Sequence, residues 1–184
     1  MASPRGLFLA LGAMNRLLAC LIILSTSSAF ADEPLPPPEK MTVCSPTKNL
    51  CAMSDPTSSK TFVSSQPPKG KSWVIPGWHR WLFVSDDGES VVVGYDGMNL
   101  APLDVSLDEP VLYFYHHGKL VRTMTLKDFY GSKSQLRRTV SHLAWVNTIG
   151  INKANQLVVE LIDGRKIAFA ASTGQVQPLI PAGT

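Results

Sequence analysis

Leu82-Phe83-Val84-Ser85-Asp86-Asp87-Gly88-Glu89-Ser90-Val91-Val92-Val93-Gly94-Tyr95 decides the fold class. Two runs of apolar β-formers flank Asp86-Asp87-Gly88, and Asp-Gly between such runs is the strongest short-range signal for a β-hairpin. Val91–Val93 are apolar at consecutive positions, which predicts a strand covered on both faces rather than a half-wet one. Val111-Leu112-Tyr113-Phe114-Tyr115 repeats that pattern and turns at His116-His117-Gly118-Lys119 into Leu120-Val121-Arg122-Thr123. Leu157–Ile162 turns at Asp163-Gly164 into Lys166–Ala170. Thr61-Phe62-Val63 and Ser72–Ile75 flank a turn at Pro67-Pro68-Lys69-Gly70.

These runs predict a mainly β body of antiparallel hairpins and meanders, closing as a small sandwich, barrel or propeller-like unit. One short helical insertion is expected near 126–138. Thr125 caps its start with Asp128 three residues on, the chain stops at Gly131, and Ser134 caps a second turn. Thr139–Val146 then resumes as a strand.

Cys44 and Cys51 bracket the turn-rich Ser45-Pro46-Thr47-Lys48-Asn49-Leu50. An even pair in an exported chain reads as a disulfide joining two hairpin strands. Two thiols without a second nearby pair make a poor zinc motif.

Export is the expectation from the first 31 residues. Arg16 precedes the apolar Leu17–Leu24, small polar residues follow, and Ala29-Phe30-Ala31 suits signal peptidase, so cleavage is expected before Asp32. The apolar run of eight is well short of the ~20 residues that span a bilayer. Contact with the membrane is therefore transient, through the signal alone. Translation starting at Met1 or at Met14 is compatible with this reading. Asp32 to Met41, with Pro34 and Pro36–Pro38, reads as an extended tether. Residues 42–184 read as a single β-rich domain.

Removing 31 of 184 residues leaves 153, enough for one domain. It takes away Arg5 and Arg16, leaving 15 Lys and Arg against 14 Asp and Glu. So balanced a charge excludes a general affinity for nucleic acid, which clustered positive charge drives.

The segment Val84–Val93 resembles the inner hairpin of a TolB-like β-propeller blade, and Ser45–Ala52 and Ile162–Phe169 resemble it more weakly. The resemblance implies four-stranded antiparallel blades and a binding surface at one end of a disc. It covers short hairpins only. Propellers close with about four to eight blades, whereas 153 residues supply roughly three, so a different all-β body stands beside it. The mature chain as a whole also resembles uncharacterised small exported bacterial proteins, a likeness that implies no activity.

Trp78-His79-Arg80-Trp81 is the densest candidate binding surface, since aromatic rings with Arg and His suit glycan stacking or a protein hot spot. Against this stands a simpler assignment, with Trp81 entering the core and His79 and Arg80 solvated. His116 and His117 are the second candidate. Neighbouring histidines on a strand point to opposite faces, but in a turn they can converge, with His79 or His142 as a third ligand. Without a His-x-His pattern or a nearby carboxylate pattern, solvated turn residues are the reading preferred, and no metal ligand or cofactor is assigned. Asp86, Asp87, Glu89, Asp96 and Asn99 match no calcium loop and read as turn material. There is no Gly-x-Ser-x-Gly elbow, Walker loop or His-Glu-x-x-His, and no catalytic residue is assigned. The expectation is a non-catalytic periplasmic or secreted module that binds an envelope protein or glycan. A small hydrolase or metal-dependent enzyme with an unrecognised site is the alternative.

Overall fold

The computed structural model describes residues 35–65, 70 and 72–180, all within the unit Glu33–Thr184. The signal, the first part of the tether and most of the Pro67–Gly70 turn lie outside the described residues.

The chain is mainly β, as its apolar runs require. β1 (Met41–Cys44), β2 (Leu50–Asp55), β3 (Lys60–Ser65) and β4 (Ser72–Pro76) form an antiparallel meander. β5 (Leu82–Val84), β6 (Ser90–Gly94), β8 (Pro110–His116) and β9 (Lys119–Thr125) form a second sheet, from which β7 (Leu100–Pro102) departs. β7 pairs instead with β11 (His142–Ala144), which also pairs with β10 (Arg137–Arg138). β12 (Val146–Ile151), β13 (Gln156–Leu161), β14 (Lys166–Ala170) and β15 (Val176–Gln177) form the last meander. All pairings are antiparallel, and among the described residues no sheet closes into a barrel. The body is sandwich-like.

The layering follows from the side-chain pattern. In β2 and β3 burial alternates along the strand, so Leu50, Ala52 and Val63 point inward while Phe62 and Ser64 face water. In β6 every residue is buried. Val91 and Val93 join Leu82, Val84 and Tyr115 in a core against the first meander. Val92 joins Phe83 and Phe114 in a larger core shared with Trp145, Leu157 and Phe169. The β5-β6-β8-β9 sheet is thus the middle layer, because it alternates between two apolar faces where the outer sheets have one.

The expected insertion after residue 125 consists of two short 3₁₀ turns, Leu126–Asp128 and Lys133–Gln135. The Asp128 carboxylate accepts from the Thr125 N–H at 2.7 Å, as expected. The second turn is capped by Ser132 rather than Ser134: the Ser132 hydroxyl accepts from the Ser134 N–H. By Arg137 the backbone is already strand, and the strand expected over 139–146 is interrupted. Thr139 instead closes a turn on His142 through its N–H and its hydroxyl, and β12 begins beyond Trp145.

Cys44 and Cys51 face each other in the β1–β2 register, with their sulfurs at bonding distance, 2.04 Å.

Candidate functional site

A cavity of about 280 Å³ opens between the loop after β4 and one end of the middle sheet. Trp78 and His79 line it from the loop. Tyr113 and Tyr115 come from β8, Tyr95 and Asp96 follow β6, and Glu109 precedes β8.

The loop that carries Trp78 and His79 is fastened from beneath by two buried hydroxyls. Ser54 and Thr61 occupy inward positions of β2 and β3 and bond to each other at 3.1 Å. Ser54 accepts from the His79 N–H at 2.7 Å, and Thr61 donates to the Gly77 carbonyl at 3.0 Å. Gly77 adopts φ 94°, and a Cβ there would lie 3.1 Å from the His79 ring. Both the backbone angle and the close ring require glycine.

Four aromatic rings and two carboxylates converge on this cavity, with no lysine or arginine among its lining residues. Burial raises the Tyr95 pKa, and the negative charges of Glu109 and Asp96 raise it further. Tyr113 is raised by burial and by Glu109. Burial is also the main cause lowering the His79 pKa, outweighing its bond to the Pro76 carbonyl and the pull of Asp96. His79 is therefore neutral at neutral pH, and the cavity is acidic and aromatic.

The rest of the Trp-His-Arg-Trp run does not line this cavity. Arg80 lies over the Trp78 ring at 4.9 Å and donates to the Pro36 carbonyl at 2.6 Å. Trp78 Nε1 donates to the Glu39 carbonyl at 2.7 Å. Trp78 and Arg80 thus hold the exposed end of the tether, residues 35–40, onto the domain. Trp81 turns inward against Phe83 and Trp145, at ring separations of 5.3 and 6.3 Å. It is seated on Gly94, where any Cβ would stand 2.7 Å from its ring.

His116 and His117 lie at the opposite end of the same strands, since β8 pairs Ser90 with His116 and Gly94 with Leu112. His117 and Gly118 both have positive φ, 49° and 76°, the conformation of a two-residue hairpin turn. That turn removes the strand alternation that would separate the two histidines, and their rings stand 4.4 Å apart. The partner they meet is Glu89, rather than His79 or His142. Its carboxylate lies 3.4 Å from His117 Nε2 and 4.0 Å from His116 Nε2. The His117 N–H also donates to the Glu89 carbonyl at 2.9 Å, stitching the two turns together.

The neighbouring aspartates serve the turns. Desolvation works to raise the Asp87 pKa, but hydrogen bonds from Ser85, Glu89 and Ser90 outweigh it and hold the group below the usual carboxylate range. Asp86 accepts from the Thr47 N–H at 2.9 Å, and its own N–H donates to Asn155 at 2.7 Å. This ties together the β1–β2, β5–β6 and β12–β13 turns.

No protein-family profile matches the chain, and no curated protein matches it.

Proposed function

We propose that this protein is an exported, non-catalytic binding module of the bacterial envelope, and that its cavity receives a cationic side chain from a protein partner. The observation that carries this reading is the convergence of Trp78, Tyr95, Tyr113 and Tyr115 with Asp96 and Glu109 around a neutral His79. Aromatic faces attract a cation through their quadrupoles, and the carboxylates of Asp96 and Glu109 can add charge-assisted hydrogen bonds. A lysine or arginine side chain satisfies both, whereas a neutral sugar leaves the excess negative charge uncompensated. Export is supported by the signal-like first 31 residues and, more weakly, by the paired cysteines.

Calorimetric titration with short arginine- or lysine-containing peptides tests the proposal, with N-acetylglucosamine oligomers as the competing class. Saturable peptide binding is expected, weakened about tenfold by Asp96→Asn or Glu109→Gln, the equivalent of about 1.4 kcal/mol. Oligosaccharide binding with silent peptides would place a glycan there instead. Peptide binding unaffected by either substitution would remove the cavity from the account.

A further inference from the structure

We infer that Glu89, His116 and His117 form a binding site for one divalent transition-metal cation of the zinc class, separate from the acidic cavity. The donor set, two imidazoles and a carboxylate, suits zinc, copper or nickel and is too nitrogen-rich for calcium or magnesium, which take oxygen ligands. One donor atom from each residue lies within 4.8 Å of the others. Ligands about 2.0–2.1 Å from a tetrahedral ion stand about 3.4 Å apart. His117 Nε2 and the Glu89 carboxylate already have that spacing, at 3.4 Å. His116 Nε2, at 4.0 Å, needs to close by about 0.6 Å.

The surroundings of His116 prepare it as a ligand. The Ser90 hydroxyl donates its single proton to the Asp87 carboxylate at 2.8 Å. Its oxygen, 3.1 Å from His116 Nδ1, is therefore left to accept, so Nδ1 carries the hydrogen. That fixes the tautomer with the Nε2 lone pair directed to the Glu89 side. A ligating histidine whose other nitrogen is held by a hydrogen-bonded, carboxylate-linked partner is the arrangement that orients and strengthens imidazole ligands. Ser90 is fully buried, so this support is rigid. The three ligand side chains keep between 33% and 43% of their exposure. An ion has an entry path there, and a fourth position remains for water or a donor from a partner.

Equilibrium dialysis and competition against a chromogenic chelator, using Zn²⁺ and tag-free protein, test the inference. One zinc per chain is expected, with affinity falling at least tenfold in Glu89→Gln, His116→Ala and His117→Ala. Ser90→Ala is expected to lose about 10–100-fold through the freed imidazole, and His142→Ala to lose nothing. Co²⁺ is expected to give the visible absorption of a tetrahedral nitrogen–oxygen site. Circular dichroism shows whether each variant is folded, and Glu89→Gln keeps the shape of the side chain if a histidine variant is not. Absence of stoichiometric zinc binding would overturn the inference, as would zinc affinity unchanged in folded Glu89→Gln and His117→Ala.

Discussion

Phe114→Ala is the sharpest test of the layered architecture. Phe114 is fully buried in the middle of β8, between Val92 on β6 and Arg122 on β9. Its ring packs 6.0 Å from that of Phe169. The turn at Gly174 closes over it so tightly that a Cβ there would stand 3.0 Å from the ring. Removing the ring loses its transfer free energy, about 1.5–3 kcal/mol for a fully buried large apolar side chain. It also leaves a cavity whose walls belong to two sheets and cannot easily collapse, which brings the expected loss to about 3–5 kcal/mol. That is a large share of a typical total of about 5–15 kcal/mol. Phe62 supplies the control. It has the same side chain in β3, but on the outer face at 36% exposure and outside either core, and Phe62→Ala is expected to cost only about 1–2 kcal/mol, the transfer term for its covered part. Urea denaturation of both variants, analysed at constant m-value, gives the comparison. Equal losses, or a loss below about 1.5 kcal/mol for Phe114→Ala, would refute the placement of the middle sheet between two apolar layers.

Three further outcomes are expected. Non-reducing peptide mapping of the processed protein yields a linked Cys44–Cys51 pair, and Cys44→Ala lowers stability by about 2–3 kcal/mol without abolishing folding, since the loop is short. N-terminal sequencing of the exported form begins at Asp32, while a lipid-modified Cys20 would contradict the cleaved-signal reading. Because His79 has a folded-state pKa below its unfolded value of about 6.5, the unfolded chain takes up the proton first. Its contribution to stability is whole above that pH and is lost as the pH falls from there toward the folded value. His79→Gln therefore flattens the pH dependence of the denaturation midpoint below about pH 6.5, and an unchanged slope would contradict the burial of the ring.

The hairpins were legible because each is encoded within a dozen residues. Asp86-Asp87-Gly88, His117-Gly118 and Asp163-Gly164 supply turn chemistry, and consecutive valines in β6 announce two covered faces. What escaped was non-local. β7 pairs with β11 across some forty residues, and Leu100-Ala101-Pro102 has no strand pattern of its own. Alternation puts Ser54 on the inward face with Ala52 and Thr61 with Val63, yet their polarity argues against burial, because they hold a loop rather than fill a core. Trp78 and His79 stood out in the sequence as candidates and line the cavity, yet Asp96, Glu109, Tyr113 and Tyr115 reach it from other segments. Glu89 was read as turn material because the turn that brings His117 to it lies 28 positions further on. Only the β6–β8 register, which pairs Ser90 with His116, brings Glu89 to the two histidines.

The measurement that bears most directly on the proposed function is an NMR titration of the isotope-labelled protein with an arginine- or lysine-rich peptide. The aromatic signals of Trp78, Tyr95, Tyr113 and Tyr115 are expected to shift together and saturably, while a peptide with those side chains exchanged for glutamate leaves them unmoved. Shifts confined to the apolar groove of Ile149, Val158, Leu179 and Ile180, or identical shifts with the acidic peptide, would contradict a cation-recognising cavity.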